Sequence, residues 1–209
     1  MSAIDESSSP PLTVPLHVRR RMLVQDEIER AALRLFLARG FDDVSIEDIA
    51  AAVGMSGRTF FRYFTSKDEI LRRFQAGLND ALVEAFRNRP AEEEAASALR
   101  AAYAATSHVP KPDRDRVRAL GRLLAAAPAV HARSMGETLL DTRLSAEFAR
   151  RSRARRSDPR PVIIVAAMSA AALVGWNRWV AGEDGRNPSA GVVSAIDTLG
   201  LCDGPASRP

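Results

Sequence analysis

Cysteine is almost absent from this sequence. Cys202 stands alone, so no intramolecular disulfide can form and the Cys/His sets of zinc sites cannot be assembled. A reducing cytoplasm is the expected setting. Histidine is nearly as scarce: His17, His108 and His131 lie beside no nucleophile or base in a catalytic setting, and no Gly-rich phosphate loop is present. Those absences argue against a helical enzyme and imply no cofactor and no metal. Long apolar runs are also missing. The most apolar stretch, "PVIIVAAMSAAALVGWNRWV", is uncharged only from Val162 to Asn177 before Arg178 intervenes, short of the roughly 20 residues a bilayer span requires. The first residues, "MSAIDESSSPPLTVP", carry acids and prolines where an export signal needs basic then apolar residues. Neither export nor a membrane partner is expected.

Aromatic residues make up 6% of the chain, and the alternation of Val, Ile, Thr and Tyr that marks strands is missing. Ala, Leu and Arg dominate instead, all strong helix formers, so the expected fold is all-α. The net charge of +4 and a pI near 9.9 suit a polyanionic partner, yet residues 1–70 hold nine basic against eleven acidic side chains. Where the charges point therefore matters more than their total.

Helical patterning starts after Arg19. Ile28, Ala31, Ala32, Leu35 and Phe36 recur at three- and four-residue steps, and Gly40 is placed to end that helix in a left-handed conformation, with Phe41 folding back on Phe36. Ser45 and Asp48 have capping-box spacing, with Val44 and Ile49 as a hydrophobic staple, which predicts a helix over about 46–53. Gly54, Met55 and Ser56 form a turn, and Ser56 caps a second short helix through about Phe64; two short helices across a Gly-containing turn make a helix-turn-helix. Ser66 and Glu69 repeat the capping spacing and start a helix over about 67–87. Further helices are expected near 92–106, 113–127, 129–155, 161–181 and 188–200. The resulting division is a disordered tail at 1–16, a helix-turn-helix domain at 17–66, a larger helical domain at 67–202 and a terminal tail at 203–209.

The stretch "VGMSGRTFFRYFTSKDE" carries the chemistry. Phe60 and Phe64 share one helical face and serve to anchor the helix, while Arg58, Thr59, Arg62 and Tyr63 project outward. Gly57, Arg58 and Thr59 lie at the helix start, where side chains reach base edges in a major groove. Arg62, Tyr63 and Lys67 are the expected phosphate contacts. Ser45 and Ser56 are caps whose helix N-termini could also face phosphate. The triplet Arg19, Arg20 and Arg21 is either a basic arm along the DNA or the solvated start of the first helix.

From Ala31 to Leu71, "AALRLFLARGFDDVSIEDIAAAVGMSGRTFFRYFTSKDEIL" closely resembles the TetR family of bacterial transcriptional regulators. That resemblance implies a three-helix DNA-binding domain, a helical carboxyl-terminal domain that dimerises and binds an effector, and repression of a palindromic operator relieved by that effector. Two positions depart from the family pattern. Phe61 stands where Tyr is common, removing a hydroxyl often directed at phosphate, and Tyr63 stands where His is common.

In the carboxyl-terminal half the family architecture places the helices near 162–181 and 188–200 as the dimer-forming pair, with Ala166, Ala170, Trp176, Trp179, Val192 and Ile196 as interface candidates. An intrachain core is the competing role for the same residues. Effector-lining candidates are Phe74, Leu78, Tyr103, Met135, Phe148 and Met168. The effector itself is unknown; it is apolar, or an acyl coenzyme A, the latter through a likeness of "TFFRYF" to actinobacterial members that sense such esters. The run "RRSRARR" at 150–156 is either a binder of a phosphorylated ligand or a solvated face.

Overall fold

The computed structural model describes residues 15–126, 141–183 and 185–202, and every regular element among them is helical. Two units divide between Leu71 and Arg72, inside one helix.

The amino-terminal unit contains α1 (Leu16–Arg39), α2 (Ile46–Ala52), α3 (Gly57–Phe60) and the first turn of α4 (Lys67–Arg87). α1 begins at Leu16, so the Arg19–Arg21 triplet belongs to a helix and is not an extended arm. Residues 1–14 lie outside the described residues. α1 ends at Gly40, whose amide donates to the carbonyl of Phe36. The glycine has φ 91° and ψ 157°, which is positive-φ extended backbone and not the left-handed helical turn expected from the sequence. The aromatic closure is present all the same, with the rings of Phe36 and Phe41 edge-to-face at 5.0 Å. Ile28, Ala31, Ala32 and Phe36 of α1 are buried, as are Val44, Ile49, Ala50, Phe60, Phe64, Ile70 and Leu71, and α1 packs on α2 and α2 on α3.

The carboxyl-terminal unit is built from the rest of α4, α5 (Ala95–Thr106), a 3-10 turn (Lys111–Asp113), α6 (Arg114–Ala125), α7 (Thr142–Arg151), α8 (Arg160–Ala181) and α9 (Pro188–Asp197). A helix over 129–155 was expected; the described part of it ends at Arg151, and the chain then turns at Ser152 and Arg153. Alanines 95, 96, 98 and 102 line the buried face of α5, where small side chains let α8 and α9 come close. The tightest approach is at Gly175, where a Cβ would lie 2.5 Å from the carbonyl oxygen of Gly191. Any larger residue there would push α8 and α9 apart.

α8 has 22 residues and is long and apolar enough to cross a bilayer by length and composition, contrary to the shorter span read from the sequence. Val165, Met168, Ser169, Ala172, Gly175 and Trp179 nevertheless turn one side of it into the core.

Candidate nucleic-acid interface

The helix-turn-helix is positioned by its caps. Ser45 Oγ accepts from the Asp48 amide at 3.0 Å while the Asp48 carboxylate accepts from the Ser45 amide at 2.9 Å, closing a complete capping box. Arg39 reaches the same carboxylate at 3.2 Å. The Ser45 hydroxyl, the Ser45 amide and the Arg39 guanidinium together hold the Asp48 carboxyl down at about 2, against an ordinary 3.8. Gly54, with φ +70°, makes the turn into α3, a conformation that costs most residues about 1–2 kcal/mol. Ser56 then caps α3 by accepting from the Thr59 amide at 3.2 Å.

α3 is shorter than its sequence implied. Regular helix spans only Gly57–Phe60; the following amides of Arg62 and Tyr63 bond to carbonyls three residues back, so the chain tightens before Phe64. Phe60 and Phe64 are both buried, with ring centroids 5.9 Å apart. Arg58, Phe61 and Arg62 are exposed, and Phe61 leaves 54% of its surface to solvent. Neither Arg58 nor Arg62 has a hydrogen-bond or ion-pair partner among the described residues. Thr59 and Tyr63 are half-buried; the Tyr63 carbonyl accepts from Gln25 at 3.1 Å, and the guanidinium of Arg21 stands 5.6 Å from its ring. Leu16, His17, Arg20, Arg21, Arg62 and Tyr63 thereby line one basic cleft at the start of α1.

Lys67 is held within the fold. Its ammonium donates to the carbonyls of Phe41 and Val44, both at 2.7 Å, and lies 4.6 Å from the Phe41 ring. The lysine ties α4 to the loop before α2, a structural role in addition to any phosphate contact and one the sequence did not announce. Ser66 caps α4 as its spacing with Glu69 predicts, accepting from the Glu69 amide at 3.2 Å, while the Glu69 carboxylate reaches back one residue further and accepts from the Thr65 amide and hydroxyl at 2.5 and 2.6 Å.

In the carboxyl-terminal unit several expected roles move. Trp179, Val192 and Ile196 are buried within the single chain and cannot present surface to a partner. Trp179 is an internal hub: its indole N–H donates to the Arg186 carbonyl at 3.0 Å and Arg118 stacks over its ring at 4.5 Å. Trp176 is half-buried at 5.4 Å from Trp179. Ala166 is half-buried and Ala170 exposed, on the outer stripe of α8 that also bears Val162, Ile163 and Val174. Among the effector candidates, Tyr103, Phe148 and Met168 share one buried core, in which the Tyr103 hydroxyl bonds Ser169 at 2.7 Å. Burial pushes that phenol up to about 12. Phe74 is half-buried, Leu78 is exposed, and Met135 lies outside the described residues.

Sequence reasoning missed a cleft of about 630 Å³ between the start of α5, the turn after α7 and the start of α8. Phe148 is its only lining residue among those expected to meet an effector. The Arg-rich run was the available signal.

These features define a class: a helix-turn-helix protein whose short second helix offers unpartnered arginines, joined to a separate helical unit. Residues 28–74 match the model of the tetR family of bacterial regulatory proteins, and residues 93–200 match that of the MftR C-terminal domain. The chain is 32% identical to the HTH-type transcriptional regulator TcmR of Streptomyces glaucescens, over 91% of this chain and 89% of that protein. It is 33% identical to a protein of Mycobacterium tuberculosis named for regulation of mycofactocin biosynthesis, MftR, over 79% and 84% of the two chains. Among solved structures, Thermus thermophilus FadR with lauroyl-CoA shares the fold at a TM-score of 0.62 and 23% identity, covering 88% of this chain and 98% of that one. SmeT of Stenotrophomonas maltophilia, repressor of the multidrug efflux pump SmeDEF, has a TM-score of 0.60 at 16% identity, covering 83% and 87%. The chain belongs to the TetR family: it is a DNA-binding transcriptional regulator and not an enzyme.

Proposed function

We propose that the chain is a cytoplasmic repressor that binds a palindromic operator as a homodimer and is released by a small-molecule effector. One observation carries the DNA half of this reading: α3 is pinned through buried Phe60 and Phe64 while Arg58 and Arg62 are exposed and have no partner among the described residues. Arg58, Gly57 and Thr59, at the start of α3, meet base edges in the major groove. Arg62 and Tyr63, together with Arg20 and Arg21 from the shared cleft, meet the flanking phosphates. Ser45 and Ser56 act chiefly as caps, and Phe61 lies against the sugar-phosphate backbone.

Dimerisation proceeds through the outer stripe of α8, where exposed Val162, Ile163, Ala170 and Val174 and half-buried Ala166 present an apolar surface that the other described residues leave largely uncovered. Two copies related by a two-fold axis read the two halves of an inverted repeat. The effector is apolar or an acyl coenzyme A, in keeping with the ester bound by the FadR neighbour.

Fluorescence anisotropy on DNA upstream of the gene, over a salt series, tests the reading. Replacing Arg58 by Ala should cost about 1–3 kcal/mol on cognate DNA and relax sequence preference. Replacing Arg62 should weaken all sequences alike and lower the salt slope by about one. Equal losses on cognate and scrambled DNA for both variants would refute these roles.

A further inference from the structure

We propose that the cleft beside the turn after α7 binds a phosphorylated amphiphile, with Arg153 and Arg155 holding the anionic head and an apolar floor holding the chain. The proposal deepens the effector reading above and rests on it only for its consequence at DNA, not for the binding itself.

The cleft is about 630 Å³, within the range that takes a drug-sized molecule. Its floor is apolar: Phe148, Pro161, Ile164 and Leu201 line it, the first two buried in the core. Its rim is charged, and the charges are not equivalent. The Glu94 carboxylate caps α5, accepting from the amides of Ala96 and Ser97 at 2.8 and 3.0 Å. Asp158 is chelated by Arg160, with the closest approach at 2.7 Å. Both lining acids are therefore satisfied. Arg153 and Arg155 are exposed, and among the described residues their guanidiniums have no hydrogen-bond or ion-pair partner. Two free planar cations above an apolar floor are the chemistry that recognises a phosphate attached to a hydrocarbon.

The backbone points the same way. Arg153 has φ 51° and is the sole non-glycine residue with positive φ among those described. It closes α7 as glycine commonly does, with its amide donating to Arg150 and that of Ala154 to Ala149, at 3.3 and 3.0 Å. An arginine in that conformation is strained, and strain of this kind collects at binding sites. Neighbouring arginines have other duties. Arg150 pairs with Glu147, and Arg151 is buried against the carbonyls of Phe86, Arg89 and Pro90.

Calorimetric titration of the full chain with dodecyl phosphate below its micelle concentration tests the site, with dodecanol and inorganic phosphate as separate probes. One dodecyl phosphate should bind per chain, more tightly than either fragment, and replacing both arginines by alanine should weaken it about tenfold or more. Dodecanol binding should be unchanged in that variant. Equal binding of dodecyl phosphate by the wild-type and doubly substituted chains, or none by the wild type, overturns the proposal. So does attachment to vesicles containing phosphatidic acid in the absence of monomer binding, which marks a basic surface and not a cleft. The variant should keep its affinity for upstream DNA. If dodecyl phosphate binds through Arg153 and Arg155 and leaves DNA affinity unaltered, the site stands and the effector reading fails.

Discussion

Glycine in place of Arg153 should make the protein more stable while removing a rim cation from the cleft. At φ 51° the arginine Cβ crowds the following carbonyl, a conformation that costs about 1–2 kcal/mol and from which glycine is exempt. Glycine also gains freedom in the unfolded chain, which offsets about 0.4–1 kcal/mol of that relief. The guanidinium has no partner to lose among the described residues, so the net is a stabilisation centred on about 0.8 kcal/mol and at most about 1.6 kcal/mol. For a chain of this size the central value raises Tm by about 2–3 °C. Alanine at the same position keeps the Cβ and should leave Tm close to that of the parent, separating backbone strain from loss of charge. Differential scanning calorimetry of the three proteins makes the comparison. A fall in Tm for Arg153→Gly would refute the reasoning, because it would mean the side chain earns its strain through folding contacts and not through a ligand.

Three other outcomes can be checked in the same preparations. Arg151→Ala should destabilise by about 2–4 kcal/mol, far more than Arg155→Ala, because it strips partners from the last carbonyls of α4 and leaves Glu147 short of a nearby cation; urea denaturation reads the difference. If the proposed dimer forms through α8, Ile163→Asp, at a position 61% exposed in the single chain, should give a monomer in light scattering where the wild type gives a dimer, with its helical circular dichroism retained. Asp48 has a folded-state pKa below its unfolded value, so its stabilising contribution is complete above 3.8 and is lost as pH falls through about 2; Asp48→Asn should flatten that part of the stability–pH curve relative to wild type.

Where local chemistry decides structure, the sequence was easy to read. The Ser45 and Asp48 box, the Ser56 cap and the shared face of Phe60 and Phe64 each depend on residues within four positions of one another. The same locality explains the errors. α3 breaks after Phe60 because bonds three residues back replace the helical ones at Arg62 and Tyr63, a change that the spacing of apolar residues does not announce. Trp179 and Ile196 read as interface residues because large apolar side chains look alike in sequence, whether they face a partner or their own core. What assigns Trp179 to the core is Arg118 above its ring and the Arg186 carbonyl at its indole, both set by tertiary packing. The outer stripe of α8, by contrast, is made of residues the sequence barely distinguished from the buried ones.

Arginine shows the limit most clearly, since one residue type performs two opposed tasks here. Arg118 and Arg122 donate to the carbonyls of Trp179 and Val180 at the end of α8, and Arg151 does the same for α4. These guanidiniums cap backbone acceptors at helix ends, which ties part of their hydrogen-bonding capacity to the fold. Arg58, Arg62, Arg153 and Arg155 instead remain exposed and unpartnered among the described residues. A net charge of +4 therefore understates the contrast between surfaces, because the cations that matter are those whose hydrogen-bonding capacity folding leaves unspent. Within the run from Arg150 to Arg156, adjacent positions divide between the two tasks, and the division follows from where α7 ends: Arg151 on its last turn points inward, and Arg153, just past it, points out. Lengthening α7 by one residue would rotate the following turn by about 100°. Inserting one alanine after Arg151 should therefore abolish the cleft while every charged residue of the run is kept, because the position of the helix end, and not the number of arginines, builds the site.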